Sequence, residues 1–241
     1  MKKIIDKIKN ISFKTFMIVI IIATIVIFVI ALILHFENKH KEYMLDTMYD
    51  VYPSNVKELY RYLVDANCTG DIKFNLELDS DSVLVNNLDK VDLMDYLFNY
   101  LEKRGYLQDS IDIKNINEAI DLLFIDKIDL LKGMESYDYD GYTYMFKDNK
   151  VTRKVNKCNN DIKYISHLYG YSNKEETLWL DINMGYLKND ILYDLKDKEL
   201  GKFDNNKEEL FKDSTYYYRV YYIKDKGEYK LNKVKLVSKS F

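Results

Sequence analysis

The chain has 241 residues and a formal net charge of −3, with 23 Tyr, two Cys and a single Pro. Residues 1–14 contain five Lys and one Asp, a net of +4, so the rest of the chain carries −7. Nucleic-acid binding normally requires a basic footprint for the phosphates, and we therefore expect no nucleic-acid partner. The mixture of apolar and charged residues is typical of a globular protein, and the abundance of Tyr, Ile, Lys and Asn is typical of an AT-rich bacterial genome.

An uninterrupted apolar run at residues 16–34 predicts a transmembrane helix. At ~1.5 Å per residue this run spans about 28 Å, close to the ~30 Å hydrocarbon core of a bilayer. It is longer than the ~7–15 apolar residues of a cleaved signal peptide, so we expect an uncleaved anchor. The five Lys before it predict a cytoplasmic N-terminus, because positive charge stays on the cytoplasmic side.

This topology divides the chain into four predicted segments. Residues 1–15 form a basic cytoplasmic stub, residues 16–34 the transmembrane helix, and residues 35–52 a helical juxtamembrane stalk that ends before Pro53. Residues 53–241 form an extracytoplasmic domain, with a possible sub-boundary near residue 133, where the apolar period changes from helical spacing to two. The predicted location is therefore the cell membrane, with the C-terminal domain outside.

The first half of this domain shows mainly helical periodicity. A helix is predicted over residues 54–65, and two longer ones over 88–104 and 115–131, each with an apolar stripe at three- and four-residue spacing. Between them, residues 71–79 alternate strictly between apolar and polar, which predicts a half-buried strand. A second short strand is predicted at residues 82–85.

Strand periodicity dominates after residue 133. A hairpin is predicted from residues 142–146 and 151–155, joined by the polar residues 147–150. The further predicted strands are 162–169, 176–182, 191–195, 215–223 and 228–237, with turns at Gly170, Gly185, Gly201 and residues 226–227. Connections of hairpin length indicate an antiparallel sheet. We predict an α+β fold with helices packed on one face of a curved antiparallel sheet.

The two cysteines, Cys68 and Cys158, suggest a possible disulfide. Thiols outside the cytoplasm can pair, and a bridge here would close a 90-residue loop and stabilise the fold by about 3–5 kcal/mol in the loop-entropy model. The sequence alone does not show whether the two residues meet, and two separate buried thiols is the alternative interpretation.

The motifs that could carry metal or catalytic chemistry are weak. Residues 136–141 partly match the start of a calcium loop, but Lys147 occupies the position of the closing carboxylate, so a turn entering a strand is the better interpretation. His167 lies in a strand-like segment and is interpreted as structural. No zinc-binding spacing is present, and we expect neither a metal site nor a cofactor.

Clustered tyrosines in the segment 215–223 predict two different strand faces. Alternation places Tyr217, Arg219 and Tyr221 on one side. The other side carries Tyr216, Tyr218, Val220 and Tyr222. Such rings could stack a sugar or a peptide, although packing within the sheet is the alternative explanation for both sides.

These observations favour a non-enzymatic binding protein of a bacterial cell envelope, whose outer domain contacts another envelope protein or the wall. A first alternative is a scaffold subunit of a secretion, conjugation or division complex, based on architecture alone. A second is a cell-wall or polysaccharide hydrolase. That activity would require a cleft with converging carboxylates of perturbed pKa.

Overall fold

The structure is a computed structural model that describes residues 24, 52–64, 68, 70–77, 81–158, 162–203 and 207–239. The chain divides into two units, Met1–Tyr52 and Pro53–Phe241. The predicted stub, transmembrane helix and stalk lie, apart from Thr24 and Tyr52, outside the described residues. Within the part of the chain that the structure describes, no helix is long and apolar enough to span a membrane.

Four helices occur in the described part of the second unit. They are α1 (Ser54–Arg61), α2 (Lys90–Lys103), α3 (Ile113–Leu123) and the single-turn α4 (Lys207–Leu210). The longest, α2, begins where the Asp89 carboxylate accepts a hydrogen bond from the Val91 N–H at 2.7 Å, which satisfies one of the free donors at the helix start.

In the described residues, eleven strands make two antiparallel sheets. The strands are β1 (Val83–Leu84), β2 (Ser110–Asp112), β3 (Ser136–Tyr139), β4 (Tyr142–Lys147), β5 (Lys150–Val155), β6 (Lys163–Lys174), β7 (Thr177–Lys188), β8 (Ile191–Asp194), β9 (Glu199–Lys202), β10 (Tyr216–Asp225) and β11 (Glu228–Ser238). The smaller sheet has the order β2-β5-β4-β3, and the larger has β1-β11-β10-β7-β8-β9, with β6 on the other edge of β7. The predicted α+β class with antiparallel strands is confirmed.

Strand β7 is central to the larger sheet because it pairs with three strands, β6, β8 and β10. Its residues 177–183 pair with β10, whereas residues 185–188 pair with β8 on the same edge. Strand β6 follows the opposite edge through most of both stretches. The β6–β7 ribbon therefore joins the β10–β11 end of the sheet to the β8–β9 end.

Two-residue turns connect several of the hairpins. Both turn residues have positive φ at Asp148 and Asn149 (52° and 61°) and at Lys226 and Gly227 (52° and 95°). This conformation matches the right-handed twist of paired strands and is the preferred geometry of two-residue hairpins. The hairpin predicted around residues 147–150 and the turn predicted at 226–227 are both confirmed.

One face of the larger sheet packs against the helical half of the domain. Tyr218, Val220 and Tyr222 on β10 are at most 2% exposed. The Tyr218 hydroxyl donates to the Phe74 carbonyl at 2.7 Å, and the Tyr60 hydroxyl of α1 lies 2.9 Å from Ser166 Oγ on β6. This inner face is the main core of the domain.

The strand predicted at residues 71–79 is wrong for the described residues 71–77. Ile72 and Phe74 are buried, as the alternation requires, but the segment belongs to neither sheet. Its backbone is satisfied elsewhere: the Ile72 N–H donates to the Leu63 carbonyl at 2.8 Å, and the Asn75 N–H donates to the Asp92 carboxylate at 2.6 Å. Alternation of buried and exposed residues is therefore not sufficient to predict a strand that pairs within a sheet.

The helix predicted over 115–131 is also corrected, because it starts at Ile113 and ends at Leu123. Phe124 leaves the helix to form an isolated bridge with Leu231 of β11, and the Ile125 N–H donates to the Leu231 carbonyl at 3.1 Å. The chain gains a contact with the sheet edge that a continuing helix would prevent.

Two predicted turn glycines lie inside strands instead. Gly170 follows a bulge in β6, where the pairing with β7 shifts by one residue. Gly185 lies within β7, where a Cβ would be 2.3 Å from the Tyr193 carbonyl oxygen. Gly185 therefore permits the close approach of β8, whereas an added Cβ at Gly170 would meet nothing within 4 Å.

Candidate functional site

The outer face of the larger sheet, opposite α1, α2 and α3, carries a cluster of aromatic and charged side chains. The register aligns one row as Leu84, Lys233, Tyr221, Trp179 and Ser172, in that order across β1, β11, β10, β7 and β6. The next row contains Lys235, Arg219, Asp181 and Gly170, and a third contains Val237, Tyr217, Asn183 and His167.

We refer to the aromatic and cationic members of this surface as the aromatic–cation face. It comprises Tyr169, Trp179, Tyr217, Arg219, Tyr221, Lys233, Lys235 and Lys239. Tyr169 is 54% exposed, and the other seven are half-buried. The rings therefore pack partly into the surface and leave part of their area accessible.

Arg219 holds the middle of this face in a fixed orientation. Its Nε and Nη2 donate to the two carboxylate oxygens of Asp181, at 2.6 and 2.9 Å, and Nη2 also donates to the Tyr217 hydroxyl at 3.1 Å. The guanidinium carbon lies 5.5 Å from the Trp179 ring centroid and 5.6 Å from that of Tyr217. Hydrogen bonding to Asp181 raises the pKa of Arg219, so the group stays cationic.

Lysines extend the pattern from both ends of the face. Lys233 Nζ lies 4.6 Å from the Tyr221 ring centroid, and Lys239 Nζ lies 5.0 Å from that of Tyr169. Lys235 is the direct register partner of Arg219. These contacts are within the ~6 Å range of cation–π attraction, which positions the flexible ammonium groups beside the rings.

The rings form two neighbouring pairs. The Trp179 and Tyr221 centroids are 6.0 Å apart, and those of Tyr169 and Tyr217 are 5.7 Å apart. Tyr217 and Tyr221 are four residues apart on β10, which is about 13 Å at ~3.3 Å per residue. The aromatic–cation face is therefore an elongated surface rather than a closed pocket.

A buried histidine lies where this face meets the segment that contains α4. His167 is 6% exposed and its ring stacks on Phe211, with centroids 6.3 Å apart. Burial, reinforced by Lys207 and Lys239, lowers the pKa of His167 to about 4. His167 Nδ1 and Asn183 Oδ1 have no hydrogen-bond partner among the described residues. The imidazole is neutral at physiological pH and contributes packing here.

The structure joins Cys68 to Cys158 by a disulfide, with the two Cα atoms 5.3 Å apart. The bridge packs against the β3–β4 turn, where a Cβ on Gly141 would lie 2.8 Å from Cys68 Sγ. In the same turn, the Asp140 carboxylate accepts a hydrogen bond from the Cys68 N–H at 2.5 Å. The bridge thus connects the segment that follows α1 to the smaller sheet.

The residues that partly matched a calcium loop form this β3–β4 hairpin turn. Asp138 accepts a hydrogen bond from Thr143 Oγ1 at 2.5 Å, and Asp140 is the acceptor from Cys68. Across the described stretches of the chain, no group of three or more potential metal-ligating side chains occurs. The two carboxylates therefore serve the local fold.

Two aspartates with raised pKa occur on α2. Burial raises the pKa of Asp92 and of Asp95 to about 6, and Asp95 accepts a hydrogen bond from the Tyr137 hydroxyl at 2.6 Å. Neither lines the cavity of about 490 Å³ beside α3 or that of about 520 Å³ beside residues 73–77. Within the described part, they do not form the cleft that glycoside hydrolysis requires.

Comparison of the chain with protein-family models, with curated proteins and with solved structures gives no match. The function is therefore inferred from the surface itself. Alternation along the sequence grouped Tyr217, Arg219 and Tyr221, but Trp179 and Lys233 were missed. Their position depends on strand register, for which the sequence offers no local signal.

Proposed function

We propose that the chain is a single-pass membrane protein of a bacterial cell envelope that holds an elongated envelope polymer on the aromatic–cation face of its extracytoplasmic domain. The observation that carries this proposal is the two ring pairs, interleaved with cations, on a sheet face opposite α1, α2 and α3. Partly buried rings on a sheet offer stacking area at low conformational cost, which suits a non-enzymatic binding surface.

Two observations support the proposed location. The apolar run of residues 16–34 has the length of a bilayer-spanning helix and is preceded by five Lys, which favours a cytoplasmic N-terminus. The pairing of Cys68 with Cys158 is compatible with an oxidising compartment, because disulfides persist outside the reducing cytoplasm. Protease added to intact cells should therefore degrade residues 53–241; complete protection of this region would contradict the topology.

Binding can be tested with the full-length protein in detergent, by cosedimentation with isolated cell walls. We expect Tyr169→Ala to weaken binding about tenfold, a loss of about 1.4 kcal/mol. Tyr106→Ala is the matched control, since Tyr106 is also 54% exposed but lies in the loop after α2, away from this face. Both variants should keep the wild-type circular dichroism and melting temperature.

The combined variant Trp179→Ala with Tyr221→Ala should lower binding further, because it removes the second ring pair. If wall binding is absent in the wild type, or if all face variants bind as the Tyr106→Ala control does, the proposed use of this face is wrong.

A further inference from the structure

The aromatic–cation face is positively charged on a chain that is otherwise acidic. Its four cations, Arg219, Lys233, Lys235 and Lys239, outnumber the two described carboxylates that interact with them, Asp181 at Arg219 and Asp213 at Lys239, which leaves +2. Residues 15–241 as a whole carry −7. A positive strip on an acidic protein concentrates attraction for an anionic partner at one surface.

We propose that the ligand of this face is a polyanionic glycan, a polymer of sugar rings that carry carboxylate or phosphate groups. This inference rests on the proposed binding function and names the class of its ligand. Each cation lies beside a ring, or beside Arg219 in the case of Lys235, so charge and stacking area alternate along the face. A polymer that alternates rings with anionic groups satisfies both features at the same time.

The geometry favours a polymer over the surface of a lipid bilayer. Insertion at a membrane interface requires rings that protrude, and three of the four rings of the face are half-buried. Tyr169 is the exception, at 54% exposed, and it lies against Tyr217 with Lys239 beside its ring. Two pairs of mostly half-buried rings can contact an extended chain that lies across the sheet, whereas they reach little into a bilayer.

The fluorescence of Trp179 gives a direct assay, because it is the single Trp of the chain. Full-length protein in neutral detergent is titrated with three probes of similar length: a hyaluronate oligosaccharide with a carboxylate on every second sugar, neutral dextran, and inorganic polyphosphate. We expect hyaluronate to perturb the fluorescence at a concentration at least tenfold lower than either of the other two probes. Isothermal calorimetry provides the affinities of variants that alter the fluorophore's surroundings.

The charge contribution is isolated by two triple variants of equal net charge. Lys233→Gln, Lys235→Gln and Lys239→Gln together remove the lysine charges of the face while keeping most of each side-chain stem. The control triple replaces Lys147, Lys154 and Lys188, all exposed and outside the face, with Gln. The face triple should weaken hyaluronate binding at least tenfold, and the control triple should bind as wild type.

Salt dependence provides an independent readout. The slope of log affinity against log salt concentration should be smaller in magnitude for the face triple than for wild type, because the triple lacks three cations whose attraction for the anionic ligand is screened by salt. The control triple should retain the wild-type slope. A melting-temperature measurement on both triples checks that folding is unchanged.

The outcomes separate this inference from the proposed function. Equal binding of dextran and hyaluronate, with no effect of the face triple but a loss in Tyr169→Ala, would overturn the anionic class while leaving the binding face intact. Two results would overturn the assignment of a glycan as the ligand. One is polyphosphate binding as tight as that of hyaluronate, and the other is binding to phosphatidylglycerol vesicles without binding to any of the polymers. Failure of the isolated walls and all probes to bind would reject the proposed function itself.

Discussion

Acidification should destabilise the domain through His167, whose buried ring stacks on Phe211. The folded-state pKa is about 4, against an ordinary value of 6.5. Below pH 6.5 the imidazole of the unfolded chain binds a proton, whereas the buried imidazole of the folded chain stays neutral. The unfolding free energy is therefore highest above pH 6.5 and decreases as the pH falls toward 4. The difference between a pKa of 6.5 and one of about 4 lowers the unfolding free energy by about 3 kcal/mol at pH 4, relative to neutral pH.

The measurement is a pair of urea-unfolding curves at pH 7 and pH 4 for the full-length protein in detergent and for His167→Gln. Gln cannot titrate, so the wild type should lose about 3 kcal/mol more unfolding free energy between the two pH values than the variant does. His35 and His40 are present in both proteins and cancel in this difference.

The subtraction is necessary because buried carboxylates act in the opposite direction. Asp92 and Asp95 have a pKa of about 6 in the fold, so the folded chain retains protons that the unfolded chain has already released. Their contribution increases stability as pH falls from 6 toward 4, in wild type and variant alike. Identical pH responses of the two proteins, within about 0.5 kcal/mol, would refute the burial of a neutral His167 against Phe211.

Two further predictions concern backbone geometry and the disulfide. Gly185→Ala should lower the unfolding free energy by about 3 kcal/mol, because its Cβ would lie 2.3 Å from the Tyr193 carbonyl oxygen; Gly170→Ala, with nothing within 4 Å, should change it by less than about 0.5 kcal/mol. Equal melting temperatures for the two variants would contradict the close approach at β7. Thiol titration of the unfolded chain should find no free thiol from Cys68 or Cys158 before reduction and both afterwards, and Cys68→Ser should cost about 3–5 kcal/mol. Thiols that are free without reduction would exclude the bridge.

Local features of the sequence were sufficient where a single stretch of chain determines the conformation. The polar residues around Asp148 and the pair Lys226 and Gly227 favour two-residue turns irrespective of the rest of the fold. Likewise, alternation along β10 separates buried Tyr218 and Tyr222 from the half-buried outer side chains, because neighbouring residues of a strand face opposite sides.

Contacts between segments distant in the sequence explain the two elements that local periodicity predicted wrongly. Residues 71–77 alternate as a strand would, yet only the Asp71 N–H donates to a strand, at the Tyr164 carbonyl of β6. The N–H groups of Ile72 and Asn75 donate instead to Leu63 and Asp92. At Phe124 the helical pattern continues in the sequence, but contact with Leu231 of β11 ends the helix. In both cases a long-range partner satisfied the backbone better than the local periodicity could.

The candidate site also combines features set by local sequence with features set by long-range contacts. The sequence by itself determined that Tyr217, Arg219 and Tyr221 share one side of a strand, because side chains alternate along it. Only the tertiary structure placed Trp179 against Tyr221 and Lys233 beside its ring. Their meeting depends on the register between strands, which is set by burial of the whole inner face and not by any short segment.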